Sequence, residues 1–207
     1  MAAPGPLAQR INGWLRRVPT WPVYLLGFGW IAWLFWRGAT DYTLVEPIDW
    51  LERAYGEKAL QLLVATLAVT PLRRFLGINL LKFRRALGLL VFFFVLAHFL
   101  VWALLDVQAL GAVWADILKR PYITIGMAAF AMLVPLALSS NDRSLRRLGG
   151  ARWRKLHWLT YAIAVLGAVH YVWLARGFAI EPLVYLGLIL ALLATRLPFG
   201  RLVAAQA

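Results

Sequence analysis

Charge in this chain is confined to clusters, and between the clusters lie apolar blocks about as long as a bilayer is thick. A helix needs roughly 20 apolar residues to cross the hydrocarbon core. In hydrocarbon every backbone polar group must be satisfied within the segment, so each block reads as a helix. Of the 207 residues 62% are hydrophobic and 15% charged. The mean hydropathy of +0.71 is far above that of an ordinary soluble domain. The expected fold class is an all-α polytopic membrane protein, a six-helix transmembrane bundle.

The spans are read as Trp21–Trp36, Ala59–Thr70, Arg84–Leu105, Pro121–Leu138, Trp153–Ala175 and Pro182–Leu197. The second could start nearer Leu51 and is limited by Pro71, since proline removes a helical donor. Pro135 is expected to kink or end the fourth for the same reason. Pro121 suits a first helical turn. Between spans, 37–58 reads as an acidic loop, Asp106–Arg120 as a short loop, and Ser139–Lys155 as a basic loop turning at Gly149-Gly150. Arg176-Gly177 reads as a tight connection. The first apolar run follows Arg10, Arg16 and Arg17 but lacks a convincing small-x-small cleavage site, so it reads as an uncleaved span.

The loops alternate in charge. The amino-terminal segment, the second and fourth loops and the carboxy-terminal tail hold sixteen of the 22 lysines and arginines and one of the nine acids. The positive-inside rule then places both termini in the cytoplasm. The domain reading is a cytoplasmic segment 1–20, a transmembrane domain 21–197 and a cytoplasmic tail 198–207. Trp21, Trp36, Trp102, Trp114, Trp153, Trp158 and Trp173 fall near span ends, as interfacial anchors do. The net charge of +13 follows from these flanking clusters and does not point to nucleic acid. With no cysteine, disulfides, iron–sulfur clusters and covalently attached c-type haem are excluded.

The three histidines, His98, His157 and His170, all fall inside predicted spans, where an imidazole is costly without a partner. At 1.5 Å per residue, His98 lies roughly 12 Å before Asp106 and His170 roughly 9 Å before Arg176. Both helices run outward, so the two rings lie at matching depth, the geometry of two axial ligands on one haem iron. His157 lies roughly 20 Å lower than His170 and is turned by roughly 140° on an ideal helix, so a bend, near Gly167 for example, is needed. That depth argues against one zinc or copper ion on all three. Opposite His157, the third span offers Arg84 and Arg85 rather than histidine. These could pair with the propionates of a second haem, ligate it axially, or simply anchor the helix at the membrane surface. The histidines could also serve packing or a proton relay. Trp102, Trp158, Tyr161 and Tyr171 flank them.

These residues resemble the ferric-reductase-like transmembrane domain family, which includes NADPH oxidases and ferric reductases. The resemblance rests on TPLRRFLG at 70–77, RRALGLLVFFFVLAHF at 84–99, KRPYITIG at 119–126 and LALSSNDRSLRRLGGARWRKLHWLTY at 136–161. Within the family the pattern is similar to the haem-binding membrane subunits of bacterial methionine sulfoxide reductase systems. The resemblance implies a multi-pass inner-membrane protein with b-type haem, one or two per chain, and associated FMN. It implies His98 and His170 as the outer haem pair and His157 as the inner ligand, with Arg84 or Arg85 where a fourth histidine stands in NADPH oxidases. Electrons would enter from the quinone pool or a cytoplasmic flavin reductase. They would leave to a periplasmic molybdenum-cofactor catalytic subunit, MsrP, which repairs oxidised proteins. With no FAD or NAD(P)H domain expected after the spans, the donor would act in trans.

The expected function is thus an electron conduit that does not itself carry the sulfoxide-reducing site. Arg143, Arg146 and Arg147 exceed what orientation needs and are candidates for donor or flavin-phosphate docking. The acidic loop 37–58 is a candidate partner surface. Two rivals remain from the sequence: a self-contained cytochrome b that reduces quinone or metal, and a cofactor-free transporter or scaffold.

Overall fold

A computed structural model describes residues 5–175 and 179–196. Nine α-helices are seen among them, and no strand: α1 (Pro6–Arg17), α2 (Trp21–Thr40), α3 (Pro47–Leu76), α4 (Arg84–Leu100), α5 (Leu110–Lys119), α6 (Pro121–Ser139), α7 (Asp142–Leu156), α8 (Leu159–Leu174) and α9 (Ile180–Ala194). A π-helical turn, Val101–Asp106, extends α4, and a 3₁₀ turn, Leu81–Phe83, precedes it.

Three helical stretches are long and apolar enough to cross a membrane: Pro47–Leu76, Leu81–Asp106 and Pro121–Ser139. Two further pairs qualify if each is one broken span, α1 with α2, bent by 78°, and α7 with α8, bent by 43°. The shorter α9 is also apolar. Large apolar side chains on its outer surface and on that of α2 are exposed, among them Leu26, Trp30, Phe35, Leu183 and Val184. An outside this apolar suits lipid rather than water.

Several boundaries differ from the sequence expectation. The second span is a helix from Pro47 to Leu76, far longer than Ala59–Thr70. Pro47 starts it, because a first-turn proline gives up a donor that has no helical partner anyway. Pro71 lies within it and does not end it. Proline removes the bond to the carbonyl four residues earlier, and here the Leu67 carbonyl instead accepts from Arg196 Nη2 at 2.8 Å. Gly77, at φ 71°, ends the helix in the left-handed conformation that glycine adopts freely. Pro135 likewise lies inside α6, which runs on to Ser139.

Three expected loops are largely helical, the first being 37–58, of which 37–40 belong to α2 and 47–58 to α3. Asp106–Arg120 contains α5, with Val113 buried and Leu110, Trp114 and Leu118 exposed along one stripe. Ser139–Lys155 contains α7, whose start Asn141 caps by accepting from Ser144 N–H at 2.8 Å. The expected Gly149 turn survives as a break inside α7, at φ 74°. The expected tight connection Arg176-Gly177, the end of the sixth span at Leu197 and the tail 198–207 lie outside the described residues.

The bundle is built on two intimate helix pairs, α3 with α4 and α6 with α8. Leu63, Leu67, Val91, Ala129, Leu133, Ile163, Ala164, Ala168 and Ile189 form the core between them and α9. Small residues on α8 let these helices approach closely, as in other membrane bundles. Leu34, Leu51, Tyr55, Ala59 and Phe94 attach α2 to the α3–α4 pair, and Tyr55 Oη donates to the Ile31 carbonyl at 2.9 Å. Since α4 and α8 carry His98 and His170, the packing of the two pairs fixes the distance between those histidines.

Candidate functional site: two opposed imidazoles

His98 lies on α4, three residues before the π-helical turn, and His170 lies near the end of α8. Their ring centres are 6.3 Å apart and their planes nearly perpendicular, at 79°. Each ring is anchored by the helix that pairs with its own. His98 Nδ1 lies 2.9 Å from the Glu52 carbonyl of α3. His170 Nδ1 lies 2.7 Å from the Tyr122 carbonyl of α6. A carbonyl can only accept, so Nδ1 is the protonated nitrogen in both rings. Nε2 is left with the free lone pair, as in a metal-bound histidine whose other ring N–H is held by a carbonyl.

The pair fits the axial demand of a haem iron. Two metal–imidazole bonds of about 2 Å, with a ring radius added at each end, separate the ring centres by about 6 Å. The bundle supplies that spacing. Among the described residues no group of three or more His, Cys, Asp and Glu side chains converges, so this is a two-imidazole arrangement rather than a mixed-ligand metal cluster.

His157 is placed elsewhere. It sits in the break between α7 and α8, where Trp158 N–H and Thr160 N–H make short-turn bonds to the Lys155 and His157 carbonyls. The bend needed after His157 is therefore at His157 itself, and α8 runs unbroken through Gly167. The imidazole stacks on Trp153 with ring centres 3.7 Å apart. Its Nδ1 faces the Trp153 carbonyl at 3.0 Å, and Ser140 Oγ lies 3.5 Å from Nε2.

The two arginines part company. Arg85 Nη2 pairs with Asp142 Oδ1 at 2.7 Å. Arg84 is turned inward, within electrostatic range of His157, Tyr161 and Arg196. Arg196 donates to Tyr161 Oη at 2.9 Å, stands over that ring at 5.0 Å, and keeps a buried Nε without a hydrogen-bond partner. Arg143, Arg146 and Arg147 are exposed on α7.

Sequence reasoning missed the Glu52 and Tyr122 carbonyls, because a backbone acceptor has no side-chain signature. It also missed Trp153 and Ser140 as partners of His157, and Arg196 against Tyr161. Trp153 carried a signal, standing four residues before His157 and so over it on a helix. Arg196 carried a fainter one, a lone cation closing an apolar helix.

The family model for the ferric reductase like transmembrane component matches residues 55–168, a stretch holding His98 and His157 and stopping just short of His170. The chain is 47% identical, over 92% of its length and 86% of the relative's, to the protein-methionine-sulfoxide reductase heme-binding subunit MsrQ of Rhizobium meliloti. It is 44% identical to the proteins of that name from Brucella ovis and Brucella suis, over 86% of this chain and 80% of theirs. No solved structure matches. On the strength of the matched segment and these relatives, the chain belongs to the family of ferric-reductase-like transmembrane components.

Proposed function

We propose that this chain is the haem-binding membrane subunit of a protein-methionine-sulfoxide reductase system and carries electrons across the bacterial inner membrane. The observation that carries the reading is the pair His98 and His170, with ring centres 6.3 Å apart and each Nδ1 held by a carbonyl. The system is taken from the heme-binding MsrQ relatives. Haem b bound between these residues supplies a one-electron carrier inside an insulating bundle. His98 and His170 present Nε2, and the Glu52 and Tyr122 carbonyls keep the other nitrogen protonated and the rings fixed.

In this reading six spans leave both termini in the cytoplasm. The end carrying Arg84, Arg85 and α7 receives electrons from quinol or a flavin reductase. The end carrying Asp106 and Asp116 delivers them to a periplasmic molybdenum-cofactor subunit of the MsrP type. Reducing one sulfoxide to a sulfide takes two electrons and two protons and releases water, so two successive transfers serve each repair. At the basic end, Arg84 offers a counter-charge to an FMN phosphate or a haem propionate beside His157, whereas Arg85 is already matched by Asp142.

The test is the reduced-minus-oxidised visible spectrum of the purified, haem-supplied chain. His98→Ala and His170→Ala should each remove the b-type α-band of the outer pair. His157→Ala should leave that band and remove only signal belonging to an inner site. A wild-type protein without any b-type band would sink the reading.

A further inference from the structure

The two histidine anchors are built alike. His98 reaches the carbonyl of Glu52, and four residues further along α3 stands Gly56; His170 reaches the carbonyl of Tyr122, and four residues further along α6 stands Gly126. In an α-helix the carbonyl of residue i lies against the N–H of residue i+4. The side chain at i+4 is therefore the one that can screen that carbonyl from a ring on a neighbouring helix. At both anchors that side chain is absent.

We propose that Gly56 and Gly126 are positioning residues that set the depth and tilt of the two axial imidazoles, an inference resting on the haem reading above. A Cβ on Gly56 would lie 3.2 Å from His98 Nδ1 and 3.3 Å from its Cε1. On Gly126 it would lie 2.9 Å from His170 Nδ1 and 3.0 Å from its Cε1. The second contact cannot stand without movement of the ring. Glycines on the histidine-bearing helices themselves, Gly88 on α4 and Gly167 on α8, would meet nothing within 4 Å. Gly27 and Gly38 would meet leucine side chains and Gly150 an arginine, whereas Gly56 and Gly126 face a histidine. Apart from proline, glycine is the poorest helix former, so two held against that preference at matching sites point to the rings they admit.

An added methyl pushes each imidazole away from its carbonyl. That weakens the bond from Nδ1–H, which holds the ring's orientation and raises the basicity of Nε2. A less basic ligand stabilises ferric iron less, so the midpoint potential rises. It also turns the ring away from the 79° crossing. Perpendicular axial imidazoles give a low-spin ferric haem a highly anisotropic electron paramagnetic resonance signal, which collapses toward a rhombic one as the planes turn parallel.

The experiment compares Gly56→Ala and Gly126→Ala with Gly88→Ala and Gly167→Ala in the full-length, haem-supplied protein. It records haem content, midpoint potential and the low-spin ferric signal. The expected result is a raised potential and reduced anisotropy in the first two, larger for Gly126→Ala, with haem retention about 10-fold weaker there, and native values in the other two. If Gly126→Ala does not accumulate, Gly56→Ala decides alone, since its neighbour need give by only a few tenths of an ångström. Native potential and anisotropy in the alanine variants at 56 and 126 overturn the inference while leaving the haem reading intact. A haem-free wild type removes the reading beneath it instead.

Discussion

Trp153 holds His157 in two ways, by stacking at 3.7 Å and through its own carbonyl at 3.0 Å, and its indole N–H donates to the Ser139 carbonyl at 2.9 Å. One side chain thus ties the imidazole to the end of α6. Trp153→Leu should cost about 2 kcal/mol, from the lost ring pair and the unpaired Ser139 carbonyl, read as thermal unfolding in detergent. The α-band assigned to His98 and His170 should be untouched, because those rings are anchored by other helices. At the acidic end, the Thr43 hydroxyl and N–H, with Arg37, hold Asp41 below the usual carboxylate range. Its contribution is therefore complete above the ordinary carboxylate pKa and fades as pH falls through the lowered one. Thr43→Val should move the Asp41 titration back up toward the ordinary value, as carboxyl-carbon resonances would record. At this scale the sequence was legible where side-chain chemistry and helical spacing spoke together. His98 and His170 could be paired from their distance to the span ends alone. What held them could not be, because the carbonyls of Glu52 and Tyr122 are acceptors that any residue would present.

The longest helix survives a proline because its neighbour supplies what the proline removes. Pro71 leaves the Leu67 carbonyl without its helical donor, and Arg196 provides one from the end of α9. Arg196→Met should destabilise the bundle by about 1.5–3 kcal/mol, the range of hydrogen bonds to charged groups. Pro71→Ala restores the missing N–H, so Pro71→Ala with Arg196→Met should be less destabilised than the two single changes added together. Additive unfolding free energies in the double variant would refute this compensation. A second cross-brace fixes α1. Asn12 donates through Nδ2 to the Gly77 carbonyl and accepts at Oδ1 from Asn79 N–H, both at 2.8 Å. Asn12→Leu should free the 77–83 segment, seen as faster amide exchange there with the core of α3 unchanged. Elements were legible where periodicity ran unbroken. They were misread at Pro71, where a local rule was overridden by a residue 125 positions away. They were misread again over 142–156, where dense arginines and Gly149-Gly150 looked like a loop. There only Gly149 leaves helical geometry, and its backbone alone breaks the helix.

The molecule as a whole is a bundle with unlike ends. Asp41, Asp49, Asp106 and Asp116 stand at one, and the arginines of α7 with Arg73, Arg74, Arg84 and Arg85 at the other. Such a field raises the encounter rate of an oppositely charged partner by 10-fold to about 1,000-fold and weakens with salt. Changing Arg143, Arg146 and Arg147 together to Gln should slow reduction of the chain by an anionic flavin donor at least about 10-fold at low ionic strength. The deficit should shrink as salt is added, and stopped-flow reduction kinetics would report both. Equal rates at low salt would remove these arginines from donor docking. The asymmetry was readable from composition alone, because charge clusters between apolar blocks survive any local error in helix boundaries. The link between Leu67 and Arg196 has one more consequence, in time rather than in space. The two lie 129 residues apart, so at roughly 5–20 residues per second a ribosome delivers the guanidinium on the order of ten seconds after the carbonyl. Through that interval α3 stands in the membrane with an open acceptor at its proline. The proline of the longest helix is therefore satisfied only once α9, the last of the described helices, has been made.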